Sequence, residues 1–198
     1  MPAGLCILLT ALFAGYGTGH THPHVFIAQQ THVVFNEKGM AGIKIRWTFD
    51  EMFSAMILEE FDPDNNMVLD KEEVQTIKEK AFAYIAPHSY YIHIKIEGKP
   101  FPVKFIKDFN ALVRQGQLIY EFLIPCHVTA IRTPKKIMIS PYDPEYYSAV
   151  YFPESRHLTF ENSDSFEITS ETDIDRSTLF FHETVNPYAI FLTFRLKS

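Results

Sequence analysis

Cysteine is nearly absent from this chain of 198 residues: it occurs twice, at Cys6 and Cys126. A disulfide framework is therefore excluded as the basis of the fold, and the length allows an apolar core that needs no such staple. Basic charge is also scarce. Lys and Arg number 18 against 24 Asp and Glu, a formal net charge of −6. That balance argues against a nucleic-acid binder that draws affinity from phosphate neutralisation, and no nucleic-acid partner is expected. No apolar run approaches the ~20 residues of a membrane-spanning helix. There is no CxxC, HExxH, GxSxG or phosphate-binding loop, no internal repeat and no low-complexity linker. With no catalytic constellation in sight, no enzyme is expected. The length fits one domain.

What is present is a globular composition, 46% hydrophobic and 21% charged. Aromatics reach 15%, with 18 Phe and 10 Tyr, which favours a β-rich interior. Nine histidines occur, three of them in the run His20-Thr21-His22-Pro23-His24. Ahead of that run, Leu5 to Ala14 (LCILLTALFA) is apolar and is followed by the small residues Gly15, Gly17 and Gly19. This is the pattern of a secretory signal peptide over residues 1–19, although only the terminal amine supplies positive charge before it. Cleavage there removes Cys6 and leaves Cys126 alone, and residues 20–198 form one domain that does not span a membrane.

Residues 24–35 are rich in Val, Phe and Ile and read as a strand; Lys38-Gly39 turns the chain into 41–49, where Ile43, Ile45 and Trp47 alternate with Lys44, Arg46 and Thr48. The period then changes. Phe53, Met56, Ile57 and Phe61 recur at helical spacing behind Asp50, a suitable N-cap. A polar loop leads to a second helix over 71–86, with Val74, Ile77, Ala81 and Ile85 on one stripe and Pro87 as its stop. From Tyr90 onward strands are expected at 90–97, 101–106, 117–124, 136–140, 147–152, 157–161, 166–169 and 188–196. The fold class is thus α+β, mostly β: an antiparallel β-sandwich-like domain with a helix-loop-helix hairpin inserted at about 50–86.

The loop between the helices, DPDNNMVLDKEE over 62–73, follows the calcium loop of an EF-hand. Asp62, Asp64, Asn66, Asp70 and Glu73 stand at positions 1, 3, 5, 9 and 12, and Val68 at position 7 supplies a backbone carbonyl. Calcium is a hard cation that takes six to eight oxygens, and this set supplies them. Position 6, where the motif carries glycine for a backbone turn with positive φ, is Met67. A left-handed conformation costs a non-glycine residue about 1–2 kcal/mol.

Imidazole suits Ni, Co, Zn and Cu. Were cleavage to fall after Gly19, the His20 amine and ring would chelate together, and alternation along a strand would set His22 and His24 on one face. His20, His22 and His24 are therefore the candidate transition-metal ligands. His32, at an even offset from His24, is a weaker fourth. The remaining histidines have no ligand spacing. Cys126 and His127 are adjacent and point to opposite faces of a strand, which separates thiol from imidazole. Asp50 reads as a helix cap, and Asp143 and Glu145 as parts of a Pro-containing turn.

Taken in order, the segments HPHVFI (22–27), RWTFDEMFSAMIL (46–58), DPDNNMVLDKEE (62–73), FLIP (122–125) and YDPEYY (142–147) resemble the family of exported bacterial proteins called domain of unknown function 1007. Members carry the label of an ABC-type transport system periplasmic component and are often found beside nickel/cobalt permeases. The resemblance implies a periplasmic accessory protein for divalent transition-metal transport, partnered by an inner-membrane permease or ABC transporter. Met67 in place of the loop glycine, and the stretch after Arg156, depart from the family pattern. The competing expectation is an exported interaction module ordered by calcium, with no transition-metal role.

Overall fold

The computed structural model describes residues 23–197. The expected signal peptide at 1–19 and the candidate ligands His20 and His22 lie outside the described residues. The first two strands, β1 (Val25–Asn36) and β2 (Gly39–Phe49), form the expected hairpin, with Gln29 opposite Trp47. Alternation fixes their faces: Val25, Ile27, Val33 and Phe35 point inward, while His32 and its neighbours on the other face are partly exposed. Gly39 is required at the turn. Its φ is +138°, and a Cβ there would lie 2.3 Å from the Val128 carbonyl oxygen.

Helix α1 (Glu51–Phe61) begins at Asp50, whose side chain accepts from the Phe53 N–H, and buries Ile57, Leu58 and Phe61. Helix α2 (Lys71–Ile77) opens on a capping box between Asp70 and Glu73. It is shorter than the expected 71–86. From Lys78 to Phe82 the chain is a π-helix, and from Ala83 to Tyr91 a 3₁₀ segment broken by left-handed residues at Ser89, Tyr90 and Tyr91. Pro87 has no N–H and its ring crowds the preceding turn, so a regular helix does not persist toward it. The widened turn re-aims the following side chains and seats Phe82, 3% exposed, against Trp47, Phe109 and Phe122.

The remaining strands are β3 (Ile92–Ile96), β4 (Lys99–Phe101), β5 (Lys107–Arg114), β6 (Gln117–Thr129), β7 (Lys135–Pro141), β8 (Ser148–Tyr151), β9 (Leu158–Glu161), β10 (Phe166–Ile174) and β11 (Tyr188–Leu196). One sheet has the order β5-β6-β2-β1-β8, with β9 also on β1; the other is β10-β11-β7-β3-β4. The protein is mostly β, as expected from sequence. Two details differ. The strand expected over 101–106 ends at Phe101, where Pro102 lacks a ladder donor, and β5 begins afterwards across a bulge at which Asp108 has φ 52°. And β8 and β9 pair with β1 in parallel, not antiparallel, after the long excursion of the chain through the second sheet.

The two sheets meet through one apolar core among the described residues. Phe35 of β1 packs on Phe166 and Phe194 of the other sheet at ring-centroid distances of 4.9 and 5.2 Å. The core also holds a polar relay. The Trp47 indole N–H donates to Gln29 at 2.8 Å, and the Gln29 amide donates to the Thr31 hydroxyl at 3.1 Å, all three residues being fully buried. No helix among the described residues is long and apolar enough to cross a membrane.

Candidate metal centre and the turn at the start of the first strand

The 62–73 loop is held between two helix ends. Asp62 caps the C-terminus of α1, its N–H donating to the Leu58 carbonyl, and the residue is 3% exposed. Its two carboxylate oxygens accept from the backbone N–H groups of Asn66 (3.3 Å) and Met67 (2.9 Å). Asp64 accepts from Asn66 through both oxygens, from the backbone N–H at 3.3 Å and from the side-chain amide at 2.6 Å. The Asn66 side-chain oxygen in turn accepts from the Val68 N–H at 2.6 Å. These contacts wind the loop inward. Met67 sits at φ 62°, the left-handed conformation that position 6 of the motif demands.

Asp62, Asp64 and Glu73 bring one carboxylate oxygen each within 4.8 Å of one another, and among the described residues this is the group of three or more His, Cys, Asp or Glu side chains so arranged. Hard cations of the calcium kind take ligands of this chemistry. The other sequence candidates hold the frame. Asp70 Oδ1 accepts from Glu72 and Glu73 N–H at 2.8 and 2.9 Å, and Glu73 Oε2 accepts from the Asp70 N–H at 2.8 Å, which pins the first turn of α2. Val68 is exposed, and Leu69 packs against the core in the way an apolar residue at position 8 does.

At the other candidate site, His24 is the one described member of the histidine run. Its N–H donates to the Tyr147 carbonyl at 2.8 Å, and the two rings lie 5.1 Å apart. The YDPEYY segment is thus brought beside the start of β1, which sequence spacing did not reveal. Asp50 secures the same corner: Oδ2 accepts from the Phe26 N–H at 2.7 Å and Oδ1 from the Phe53 N–H at 2.9 Å, so one carboxylate ties β1 to α1. Asp143 is 2% exposed and accepts from the Glu145 and Ser148 N–H groups at 3.0 Å each. Tyr91 hydrogen-bonds to Asp143 and to Ser148, and burial first, then Asp143, pushes its phenol well above the usual range. Asp50 and Asp143 therefore serve as cap and turn anchor.

His32 does not join His24. Eight residues of continuous strand separate them by about 27 Å. Its ring is instead bonded to the Thr159 hydroxyl, and burial, Lys44 and Arg46 hold it below the usual histidine pKa. Cys126 is fully buried and its thiol is pushed up to about 12 by burial, while His127 is exposed on the opposite face, so the pair forms no thiolate–imidazole dyad.

A family model described as protein of unknown function (DUF1007) matches residues 6–173. The chain is 26% identical over 159 residues to an uncharacterized protein of Haemophilus influenzae, covering 77% of this chain and 73% of that one. No solved structure matches.

Proposed function

We propose, for a chain that belongs to the DUF1007 family of proteins of unknown function, a role as an exported divalent-cation-binding accessory protein whose 62–73 loop takes a calcium-type ion. The observation that carries the reading is the coincidence of Met67 at φ 62° with the approach of Asp62, Asp64 and Glu73 within 4.8 Å. A non-glycine residue pays for that backbone conformation, and the loop adopts it at the motif position where ligand geometry needs it. Such an ion would supply charge neutralisation and a clamp between α1 and α2. The test is thermal melting with calcium and with chelator. Calcium is expected to raise the melting temperature of the wild type and not of Glu73→Gln; a wild type that melts identically in both conditions would refute the loop as a site.

A second reading concerns His20, His22 and His24. What favours it is the anchoring of His24 to Tyr147, which gives the run a fixed origin at the start of β1. In this reading the three imidazoles take Ni, Co, Zn or Cu, and the protein buffers or delivers that metal to an inner-membrane permease or ABC transporter from the periplasm. Titration with each metal, repeated on the His22→Ala/His24→Ala variant, tests it. Unchanged affinity in the double variant would leave the calcium-ordered interaction module as the remaining reading.

A further inference from the structure

Both sheets are open, and an unpaired edge strand presents a row of N–H and C=O groups to any chain that can extend beside it. Three of the edges are blunted. β4 has three residues, with Pro100 at its centre and Pro102 just after it. β8 and β9 share the flank of β1 and have four residues each. β5 is interrupted by the bulge at Asp108 and packs beside α2.

The remaining edge, β10, carries none of these devices. It runs nine residues, FEITSETDI, without proline or glycine. Its register with β11 is unbroken from Phe166 opposite Leu196 to Ile174 opposite Tyr188. Among the described residues its backbone pairs with β11 alone, apart from the Phe166 N–H, which donates to the Ser163 carbonyl. Thr172 meets His157 Nε2 at 2.9 Å, but through its hydroxyl and not its backbone. Thr169, Ser170 and Glu171 point to alternate faces and all three are exposed, so the middle of the strand is uncovered on both sides.

Charge selects what can pair there. Glu167, Thr169, Glu171 and Asp173 share one face. Glu167 is taken up by Arg195 of β11, whose Nε donates to it at 2.7 Å. Asp173 has only an exposed partner, Arg176, at 3.4 Å, and Glu171 has no ion pair among the described residues. A second copy of β10 fits badly. Antiparallel pairing centred on Ser170 sets Glu167 opposite Asp173, and pairing centred on Thr169 sets it opposite Glu171; like charges directly opposite repel. A strand with basic side chains two residues apart, the spacing of one face, meets Glu171 and Asp173 with the opposite sign.

We propose that β10 is a docking edge for an extended segment of a partner protein, which adds to the sheet as a strand and sets Lys or Arg at two alternate positions opposite Glu171 and Asp173. The edge shares no residue with the 62–73 loop, and titration in chelator keeps the two readings separable. The probe is a capped nine-residue peptide alternating Thr with Lys, added to the isotopically labelled full chain. It is expected to shift the amides of residues 166–174 saturably and to slow hydrogen exchange at every second one, those that do not face β11. A peptide with Glu in place of Lys is expected to bind at least threefold more weakly. The Lys peptide N-methylated throughout keeps its charge but has no backbone donors, and is expected not to bind. Glu171→Lys/Asp173→Lys, which changes two exposed side chains and so should fold, is expected to prefer the Glu peptide. The proposal would be overturned by absence of saturable shifts in 166–174, by equal binding of the N-methylated peptide, or by a Lys preference that survives the charge reversal. Protection of the same amides by raising protein concentration alone would assign the edge to a second copy and overturn it as well.

Discussion

The Met67 N–H donates to Asp62 Oδ2 at 2.9 Å, closing the turn of the 62–73 loop upon the buried carboxylate that ends α1. The bond is possible because Met67 is left-handed, at φ 62°. That conformation costs a non-glycine residue about 1–2 kcal/mol, and the cost falls on folding. Met67→Gly is therefore expected to raise unfolding stability by about 1 kcal/mol, and Met67→Val to lower it, in urea denaturation followed by Trp47 fluorescence. Glycine that left stability unchanged or reduced it would show that the turn is unstrained.

Gln29 and Trp47 form a second test of the interior. Gln29→Leu removes the acceptor of the indole N–H in a place where water cannot replace it. Leaving a buried donor unpaired costs about 1–3 kcal/mol, so the urea midpoint should fall accordingly with little change in slope. An unchanged midpoint would mean that the relay contributes nothing net.

The pH dependence of stability has a definite sign at His93. Its ring stacks on Tyr142 at 3.8 Å, with Nε2 against the Tyr142 carbonyl at 3.2 Å. Burial first, and His88 after it, lower its pKa against the opposing influence of that carbonyl. Between the lowered folded-state pKa and the unfolded value of about 6.5, the unfolded chain binds more protons, so stability rises with pH in that window. The contribution is full above about pH 6.5 and is lost as pH falls through the folded-state value. The melting temperature should drop on going from neutral to mildly acid buffer, and His93→Asn should flatten the drop. A slope unaltered by the substitution would assign the acid sensitivity elsewhere.

Strand and helix positions were legible in the sequence where burial imposes a period. The alternation of Ile43, Ile45 and Trp47 places β2, and the Asp50 cap with Phe53, Ile57 and Phe61 places α1. The loop residues were legible because they follow the spacing of an EF-hand calcium loop, and the structure brings Asp62, Asp64 and Glu73 within 4.8 Å of one another. What escaped depends on distant contacts. The break of the second helix into π and 3₁₀ turns ahead of Pro87 seats Phe82 on the sheet, a contact that the stripe of Val74, Ile77 and Ala81 does not encode. The meeting of His24 with Tyr147 rests on the parallel pairing of β8 with β1, a register set by the whole sheet. Even spacing suggested His32 as a partner of His24, but it encodes the face of a strand and not the distance along it.

The most direct test of the central claim reads the loop itself. Backbone amide spectra of the isotopically labelled protein are recorded with chelator and then with calcium. The expected result is that the largest shifts fall on the amides of Asp62 to Glu73, those of Asn66, Met67 and Val68 foremost, since their donors contact the same carboxylate and amide oxygens that would turn to the ion. Spectra that superimpose in this segment at millimolar calcium would contradict a cation-binding loop.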